Sequence, residues 1–298
     1  MVYLKQQRPE KVTVPAVRAS KERGERLVCL TAYDYPTARL VDEAGVDIIL
    51  VGDSVGNVVL GYDSTVPVTL EEMLHHTRAA RRGVERALLV ADMPYGSYHT
   101  GADDAVRSAL RLVKEGGAEA VKLEGGRERV ETVSRLVREE IPVMGHVGLT
   151  PQSLNRLGSY RLQAKTADAA RSLVEEARLL EEAGAFAIVL EVVPHEIARM
   201  VTESVGIPTI GIGAGPGCDA QILVLHDLLG LSFSATSPRF VRKYLNLRES
   251  VTETLGRYAD DVRSGSFPTE AESYPLPADA AAELGLRKAP PSSEEVGK

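Results

Sequence analysis

The sequence contains no tryptophan, and aromatic residues make up only 5% of its 298 residues. A hydrophobic core with so few large rings has to be built from valine, leucine, isoleucine and alanine. The only cysteines are Cys29 and Cys218, and their spacing fits neither a disulfide framework nor a zinc site. These scarcities exclude a small disulfide-stapled secreted domain and a zinc-ribbon type of protein.

Long apolar runs are also missing, since none reaches the length that a membrane span requires. The first residues lack the apolar core of a signal peptide. We therefore expect a reduced, cytoplasmic protein that has no membrane partner. A net charge of −7 and a pI near 5.5 disfavour nucleic acid as a partner.

Short apolar segments without polar alternation recur along the chain, and each is rich in valine, isoleucine and leucine. This pattern is typical of parallel strands that are covered on both faces. Seven segments have it clearly, at residues 27–31, 46–51, 87–91, 120–123, 142–147, 186–190 and 208–212. Residues 221–226 (QILVLH) could form an eighth strand or begin a helix.

Helical patterns lie between these segments, at residues 36–45, 102–117, 128–140 and 166–184. Alternating strands and helices predict a parallel sheet, either an open doubly wound sheet or a closed barrel. About eight such units in a chain of this length favour a (β/α)8 TIM barrel.

Two end segments fall outside the repeating pattern. Residues 1–25 predict an extension with a short helix, capped by Thr13 with Pro15 in its first turn, that packs against one end of the barrel. We place the single barrel domain at residues 26–274. Residues 275–298 are rich in proline, serine and charge, which predicts a disordered tail.

Acidic residues follow several predicted strands. Asp53 ends "IILVGD", Asp92 ends "LLVAD", Glu124 ends "AVKLE" and Glu191 ends "AIVLE". Because all strands of a barrel point the same way, these four carboxylates would meet at one rim. Four anions in one pocket repel each other strongly unless a cation lies among them. Oxygen ligands of this kind suit a hard divalent cation such as Mg²⁺, although Mn²⁺ or Co²⁺ could substitute.

Each of these residues also has an ordinary structural interpretation. Asp53 and Asp92 are plausible helix caps or turn residues, and Glu124 could be solvated before its two glycines. Lys122 could face outward, or inward to hold an anionic substrate. Glu191 has little polar sequence around it, and a buried unpaired carboxylate is costly. The coincidence of four acids at the same end of four strands favours a functional site.

Common nucleotide-binding motifs are missing. "GIGAGPG" at residues 211–217 fails the dinucleotide fingerprint because Pro216 stands where the third glycine belongs. The sequence also has no Walker motif, so it lacks a P-loop of that type.

Seven motifs occur together and in order: "TAYDYPTA", "VGDSVGNVVLGYDSTVPVT", "ADMPYGSY", "VKLEGG", "GHVGLTPQS", "LEVVP" and "IGIGAG". Over residues 11–274 the chain resembles the ketopantoate hydroxymethyltransferase family. The resemblance implies a (β/α)8-barrel enzyme of pantothenate biosynthesis. Such an enzyme transfers a one-carbon group from 5,10-methylenetetrahydrofolate to 3-methyl-2-oxobutanoate, through an enolate bound to Mg²⁺, and gives 2-dehydropantoate. It also implies one Mg²⁺ per subunit and a homo-oligomer, typically a decamer.

Carried over motif by motif, the resemblance assigns three kinds of role. Asp53, Asp92 and Glu124 belong to the metal site, and Ser54 and Lys122 bind the substrate together with Asp53 and Asp92. Glu191 is the proton-transfer residue. The alternative is a Mg²⁺-dependent C–C lyase or mutase of the phosphoenolpyruvate mutase and isocitrate lyase type, but the KKCGH loop usual for the lyases is missing here. Folate-binding residues are not apparent from the sequence.

Overall fold

The computed structural model describes residues 10–233 and 237–286. Eight parallel strands close into a barrel in chain order, with β8 paired to β1. This confirms the predicted (β/α)8 TIM barrel. The strands are β1 (Leu27–Thr31), β2 (Ile48–Val51), β3 (Leu88–Asp92), β4 (Ala120–Glu124), β5 (Val143–Gly148), β6 (Ala187–Glu191), β7 (Thr209–Ile212) and β8 (Ala220–Leu223).

Helices follow most of the strands and surround the barrel. The segment 221–226, which suited a strand or a helix start, divides between the two, because β8 ends at Leu223 and a helix begins at Leu225. The helices are α1 (Val14–Glu22), α2 (Tyr35–Glu43), α3 (Val55–Val58), α4 (Leu70–Arg81), α5 (Ala102–Lys114), α6 (Val130–Arg138), α7 (Leu154–Leu157), α8 (Ala167–Glu182), α9 (His195–Ser204), α10 (Leu225–Leu228), α11 (Leu247–Ser264) and α12 (Ala278–Glu283).

The core has two parts, because successive residues of a strand point to opposite faces. On β3, Leu89 and Ala91 face outward and pack among the helices, whereas Leu88 and Val90 face the barrel interior. The interior part contains mostly valine, isoleucine, leucine and alanine, as the scarcity of aromatic residues predicts. This alternation decides which side chains reach the inside of the barrel.

Helix α1 packs against one end of the barrel. Thr13 caps it by accepting a hydrogen bond from the backbone N–H of Ala16, and Pro15 lies in its first turn. Its Val17 is fully buried in the interior cluster that contains Cys29 and Ile48. The predicted N-terminal helix and its position are therefore confirmed.

The chain divides into two compact units, residues 1–245 and residues 246–298. The first contains the whole barrel, and the second contains α11 and α12. Residues 287–298 of the predicted tail lie outside the described residues, and within residues 275–286 the segment Ala278–Glu283 is helical. The domain limits of 26–274 and the disorder of the tail stay predictions. Among the described helices, none combines the length and the apolar character needed to cross a bilayer.

Candidate active site

The alternation of side chains along the strands places the predicted polar residues inside the barrel. On β4, Lys122 and Glu124 are two residues apart and therefore face the same way. Strand register sets Asp92 of β3 beside Lys122, and Glu124 beside His146 of β5. Lys122 therefore points inward and is only 4% exposed, which excludes the outward orientation that the sequence left open.

Asp53 and Ser54 reach the same place from the turn that follows β2. The backbone N–H of Asp53 donates to Oδ2 of Asp92 at 3.0 Å. The hydroxyl groups of Ser54 and Tyr33 lie 2.9 Å apart. Gly52 permits this close approach, because a Cβ at that position would lie 2.8 Å from Oγ of Ser54.

A buried lysine and a buried histidine lie among the carboxylates. Nζ of Lys122 is 2.6 Å from Oδ1 of Asp92 and 3.2 Å from Nδ1 of His146. The other ring nitrogen of His146, Nε2, lies 3.2 Å from Oε2 of Glu191, and Nδ1 lies 3.4 Å from Oε1 of Glu124. His146 thus connects Glu124 with Glu191.

The cations of the site are strongly held by their neighbours. Burial opposes the charge on Lys122, but the charges of Asp92, Glu124 and Asp53 outweigh burial and raise its pKa. Burial and Lys122 also oppose the charge on His146. The carboxylates of Glu124 and Glu191 beside its ring prevail and raise the pKa of His146 to about 9.

The carboxylates divide by environment. Burial, followed by the charges of Asp92 and Glu124, raises the pKa of Asp53 well above its usual value. Burial also raises the pKa of Asp92, although Lys122 opposes this. Burial acts the same way on Glu124, but the hydrogen bond and the charge of His146 outweigh it and lower the pKa of that carboxyl.

Two further residues support the site. Gln152 donates from its side-chain amide to Oδ2 of Asp53 at 2.8 Å and from its backbone N–H to Oε2 of Glu124 at 3.0 Å. The hydroxyl of Tyr98 donates to Oε1 of Gln152 at 2.5 Å and accepts from the backbone N–H of Glu124 at 3.2 Å. The sequence analysis assigned no role to Tyr98, His146 or Gln152. Their positions within the motifs "ADMPYGSY" and "GHVGLTPQS" were the available signal.

One cavity collects all the predicted site residues at the C-terminal end of the barrel. It occupies about 690 Å³ including its open mouth. Apolar side chains such as Leu50, Val189 and Ile222 form part of its wall. The predicted residues that line it are Asp53, Ser54, Asp92, Lys122, Glu124 and Glu191, and His146 lines it with them.

The donor chemistry of this cavity fits a divalent cation. Four carboxylates face two cationic side chains, and oxygen ligands of this kind suit a hard divalent cation. Burial, and after it the charges of Asp92 and Glu124, raise the pKa of Asp53. Within residues 10–233 and 237–286, no three His, Cys, Asp or Glu side chains surround a common metal position. Lys122 and Gln152 lie against the carboxylates instead.

The fold and this cavity define a class: a (β/α)8-barrel enzyme with an acidic active site at the C-terminal ends of its strands. Residues 11–270 match the family model described as ketopantoate hydroxymethyltransferase. The chain therefore belongs to the ketopantoate hydroxymethyltransferase family, as its motifs predict.

Relatives that carry the name 3-methyl-2-oxobutanoate hydroxymethyltransferase agree with this membership. The relative from Koribacter versatilis is 54% identical over 276 residues, which cover 93% of each chain. The relative from Thermus thermophilus is 58% identical over 252 residues, which cover 85% of this chain and 96% of the relative.

Solved structures with low sequence identity share the fold. A phosphonopyruvate hydrolase in complex with oxalate and Mg²⁺ aligns with a TM-score of 0.56 at 16% identity, covering 91% of this chain and 94% of that one. A 2,3-dimethylmalate lyase aligns with a TM-score of 0.53 at 17% identity, covering 91% and 97%. At this identity the likeness concerns the barrel alone.

Proposed function

We propose that the enzyme transfers a hydroxymethyl group from 5,10-methylenetetrahydrofolate to 3-methyl-2-oxobutanoate, giving 2-dehydropantoate for pantothenate and coenzyme A synthesis. The observation that carries the proposal is the convergence of Asp53, Asp92, Lys122, Glu124 and Glu191 on one cavity, in a chain more than half identical to relatives with that name.

Substrate binding falls to the positive and hydroxyl groups of the cavity. A 2-oxo acid is an anion, and the ammonium of Lys122 is the buried cation with a pKa raised enough to stay charged. The hydroxyl of Ser54, held by Tyr33, is placed to donate to a substrate oxygen. Apolar residues on the same wall suit the isopropyl group of 3-methyl-2-oxobutanoate.

Proton transfer at C3 falls to Glu191. Its side chain is 17% exposed to solvent, against 3% for Asp92 and for Glu124. Its carboxyl lies against Nε2 of His146. The histidine fixes the orientation of Glu191, and a positioned carboxylate base contributes about 10² to 10⁴ in rate. The carbon nucleophile that results forms a C–C bond to the one-carbon unit, whose bonds to the folate nitrogens break. Water supplies the oxygen of the new hydroxyl group, and tetrahydrofolate leaves.

Asp53, Asp92 and Glu124 would hold a Mg²⁺ ion. When bound, the ion would supply Lewis-acid polarisation of the substrate's keto oxygen, an effect worth several kcal/mol.

Substitution of Asp53 tests the metal site. Asp53→Ala is expected to weaken Mg²⁺ binding at least about tenfold. Asp63→Ala, at an exposed position of the following loop, is its control and should leave binding unchanged. Equal effects of the two variants in calorimetry would remove Asp53 from the metal site.

The decisive assay measures consumption of 3-methyl-2-oxobutanoate with and without 5,10-methylenetetrahydrofolate. We expect consumption to require the folate and to yield 2-dehydropantoate in equal amount. Cleavage or rearrangement of a 2-oxo or 2-hydroxy acid without folate would instead establish a Mg²⁺-dependent lyase or mutase.

We also propose a cytoplasmic homodecamer. Helix α11 supports self-association, because its apolar residues Val251, Leu255, Tyr258 and Val262 recur at helical spacing and are all exposed. Light scattering on the purified chain tests this, and a monomer at micromolar concentration would refute it.

A further inference from the structure

A second cavity is lined by residues that directly follow active-site residues in the chain. Glu124 lines the first cavity and the next residue, Gly125, lines the second. Pro151 likewise faces the first cavity and Gln152 the second. The second cavity occupies about 1190 Å³ including its open mouth. Nothing in the proposed chemistry uses it.

Arg129 lines this cavity, and one of its buried nitrogen atoms has no hydrogen-bond acceptor among the described residues. Within the described residues, the buried Nε of Arg129 has no hydrogen-bond partner. Its guanidinium lies over the ring of Tyr98, 5.1 Å from the centroid. Arg127, two residues earlier, is exposed and pairs with Glu175 at 2.8 Å. A partly buried guanidinium that retains an unused donor is costly unless an anion completes it.

The surroundings of Arg129 suit an anion that is attached to a flat ring. Arg156, Ser153 and Asn155 line the same cavity and offer further donors. The rings of Tyr95 and His99 lie at its edge with centroids 4.7 Å apart. Aromatic pairs of this kind provide a stacking surface for another ring.

Two carboxyl groups limit the fit. Glu128 and Glu176 also line the cavity. Burial, opposed by Ser172 and reinforced by the charge of Glu128, raises the pKa of Glu176. An anionic ligand would therefore bind more tightly if Glu176 carried no charge. Removing the charge of Glu176 should strengthen binding, whereas removing the charge of Arg129 should weaken it.

We propose that the second cavity binds the benzoyl-glutamate end of the folate co-substrate, with a tail carboxylate on Arg129 and the benzoyl ring beside Tyr95 and His99. This inference rests on the proposed function, because it assumes a folate donor. Because consecutive residues of the chain line the two cavities, the proposal is that one long molecule has its reacting carbon at the first cavity and its acidic end at the second.

The first experiment needs no mutation. The KM of the wild-type enzyme is measured for 5,10-methylenetetrahydrofolate and for its diamide, in which both glutamate carboxylates are carboxamides. We expect the diamide to have a KM at least about tenfold higher, since it loses a charge-assisted contact. Product from both donors at equal KM would overturn the anion subsite and leave the proposed function intact. Product from neither donor would overturn both.

Arg129→Gln then tests the residue, with Arg127→Gln as the matched control. We expect Arg129→Gln to raise the KM for the acid donor about tenfold and to abolish the preference over the diamide. Exchange of the C3 proton of 3-methyl-2-oxobutanoate for deuterium needs no donor and should stay at the wild-type rate in both variants. A preference for the acid donor that survives in Arg129→Gln would remove this arginine from the subsite.

Inhibition by p-aminobenzoylglutamate separates a donor subsite from an independent anion site. We expect it to compete with the folate donor and to bind several-fold more tightly to Glu176→Gln. Inhibition that does not compete with the donor would show that the cavity serves a separate anion, and unchanged binding to Glu176→Gln would place the fragment elsewhere.

Discussion

The two ends of the barrel both bury charged groups, but they neutralise them differently. At the N-terminal end, the buried Asp42 and the partly buried Asp219 are matched by donors from the chain itself. Asp42 accepts hydrogen bonds from the backbone N–H groups of Glu85, Arg86 and Ala87. At the same end, Asp219 pairs with Lys21 at 3.0 Å and accepts from the backbone N–H of Thr209 at 2.9 Å.

At the C-terminal end, the acids exceed the cations. Asp53, Asp92, Glu124 and Glu191 share one cavity with Lys122 and His146. Burial, followed by the charges of Asp92 and Glu124, raises the pKa of Asp53 well above normal. A balanced set of charges stabilises the fold, whereas an unbalanced set is tolerable only where a ligand completes it. The comparison therefore predicts that substitutions at one end cost stability and those at the other cost activity.

The largest expected effect is on Glu191. Glu191→Gln removes the base but keeps the shape, so deuterium exchange at C3 should fall by about 10² to 10⁴ with little change in melting temperature. Glu196→Gln, on the surface of α9, should exchange normally. Normal exchange in Glu191→Gln, measured by NMR, would remove this residue from the role.

The opposite behaviour is expected of Asp42. Asp42→Ala leaves backbone N–H groups at the start of β3 without an acceptor, which should reduce the free energy of unfolding by about 3 kcal/mol. The rate of deuterium exchange at C3 of the substrate, per folded molecule, should not change. Urea denaturation measures the loss, with Glu43→Ala at the exposed neighbouring position as control. If Asp42→Ala lost activity while keeping its stability, the contrast between the two ends would fail.

A smaller loss is expected at Tyr98. Tyr98→Phe removes the hydroxyl that joins Gln152 to the backbone of Glu124, so both carboxylates that Gln152 holds should become less well positioned. We expect kcat/KM to fall about tenfold, equivalent to one lost hydrogen bond of about 1.4 kcal/mol. Tyr244→Phe, at an exposed position that lines neither cavity, is the control and should keep the wild-type kcat/KM. No loss in Tyr98→Phe would mean that the hydroxyl is dispensable.

The smallest expected effect is a release of protons from His146 when Mg²⁺ binds. The pKa of His146 is raised to about 9 from an ordinary 6.5, so its charged pairing stabilises the metal-free fold fully below pH 6.5 and is lost as pH rises through 9. A divalent cation among its carboxylate partners should lower that pKa. At pH 8, binding of Mg²⁺ should therefore release up to about one proton per chain.

A pH indicator in weakly buffered solution measures this release. At pH 10 the release should shrink, because His146 is then already neutral, and His146→Gln should abolish the excess seen at pH 8. Uptake of protons on Mg²⁺ binding would contradict the sign of the argument.

The sequence alone was enough to predict the barrel and the end of it that carries the polar residues. Apolar runs and the acids that follow them are local features, and parallel strands bring their C-terminal ends together whatever the loops do. The sequence left the orientation of Lys122 open, and the structure decided that it faces inward on the same side of β4 as Glu124. The metal, substrate and proton-transfer roles of the predicted residues remain predictions from the family motifs.

Only the tertiary structure decided which distant groups meet. Gln152 contacts Asp53 across 99 positions of sequence, and Tyr98 reaches Gln152 across 54. These contacts depend on the conformations of loops after β3 and β5, where no periodicity constrains the chain. The unmatched Nε of Arg129 likewise depends on which neighbours the fold supplies. Periodic burial is encoded residue by residue, whereas complementary charge exists only between surfaces that folding has brought together.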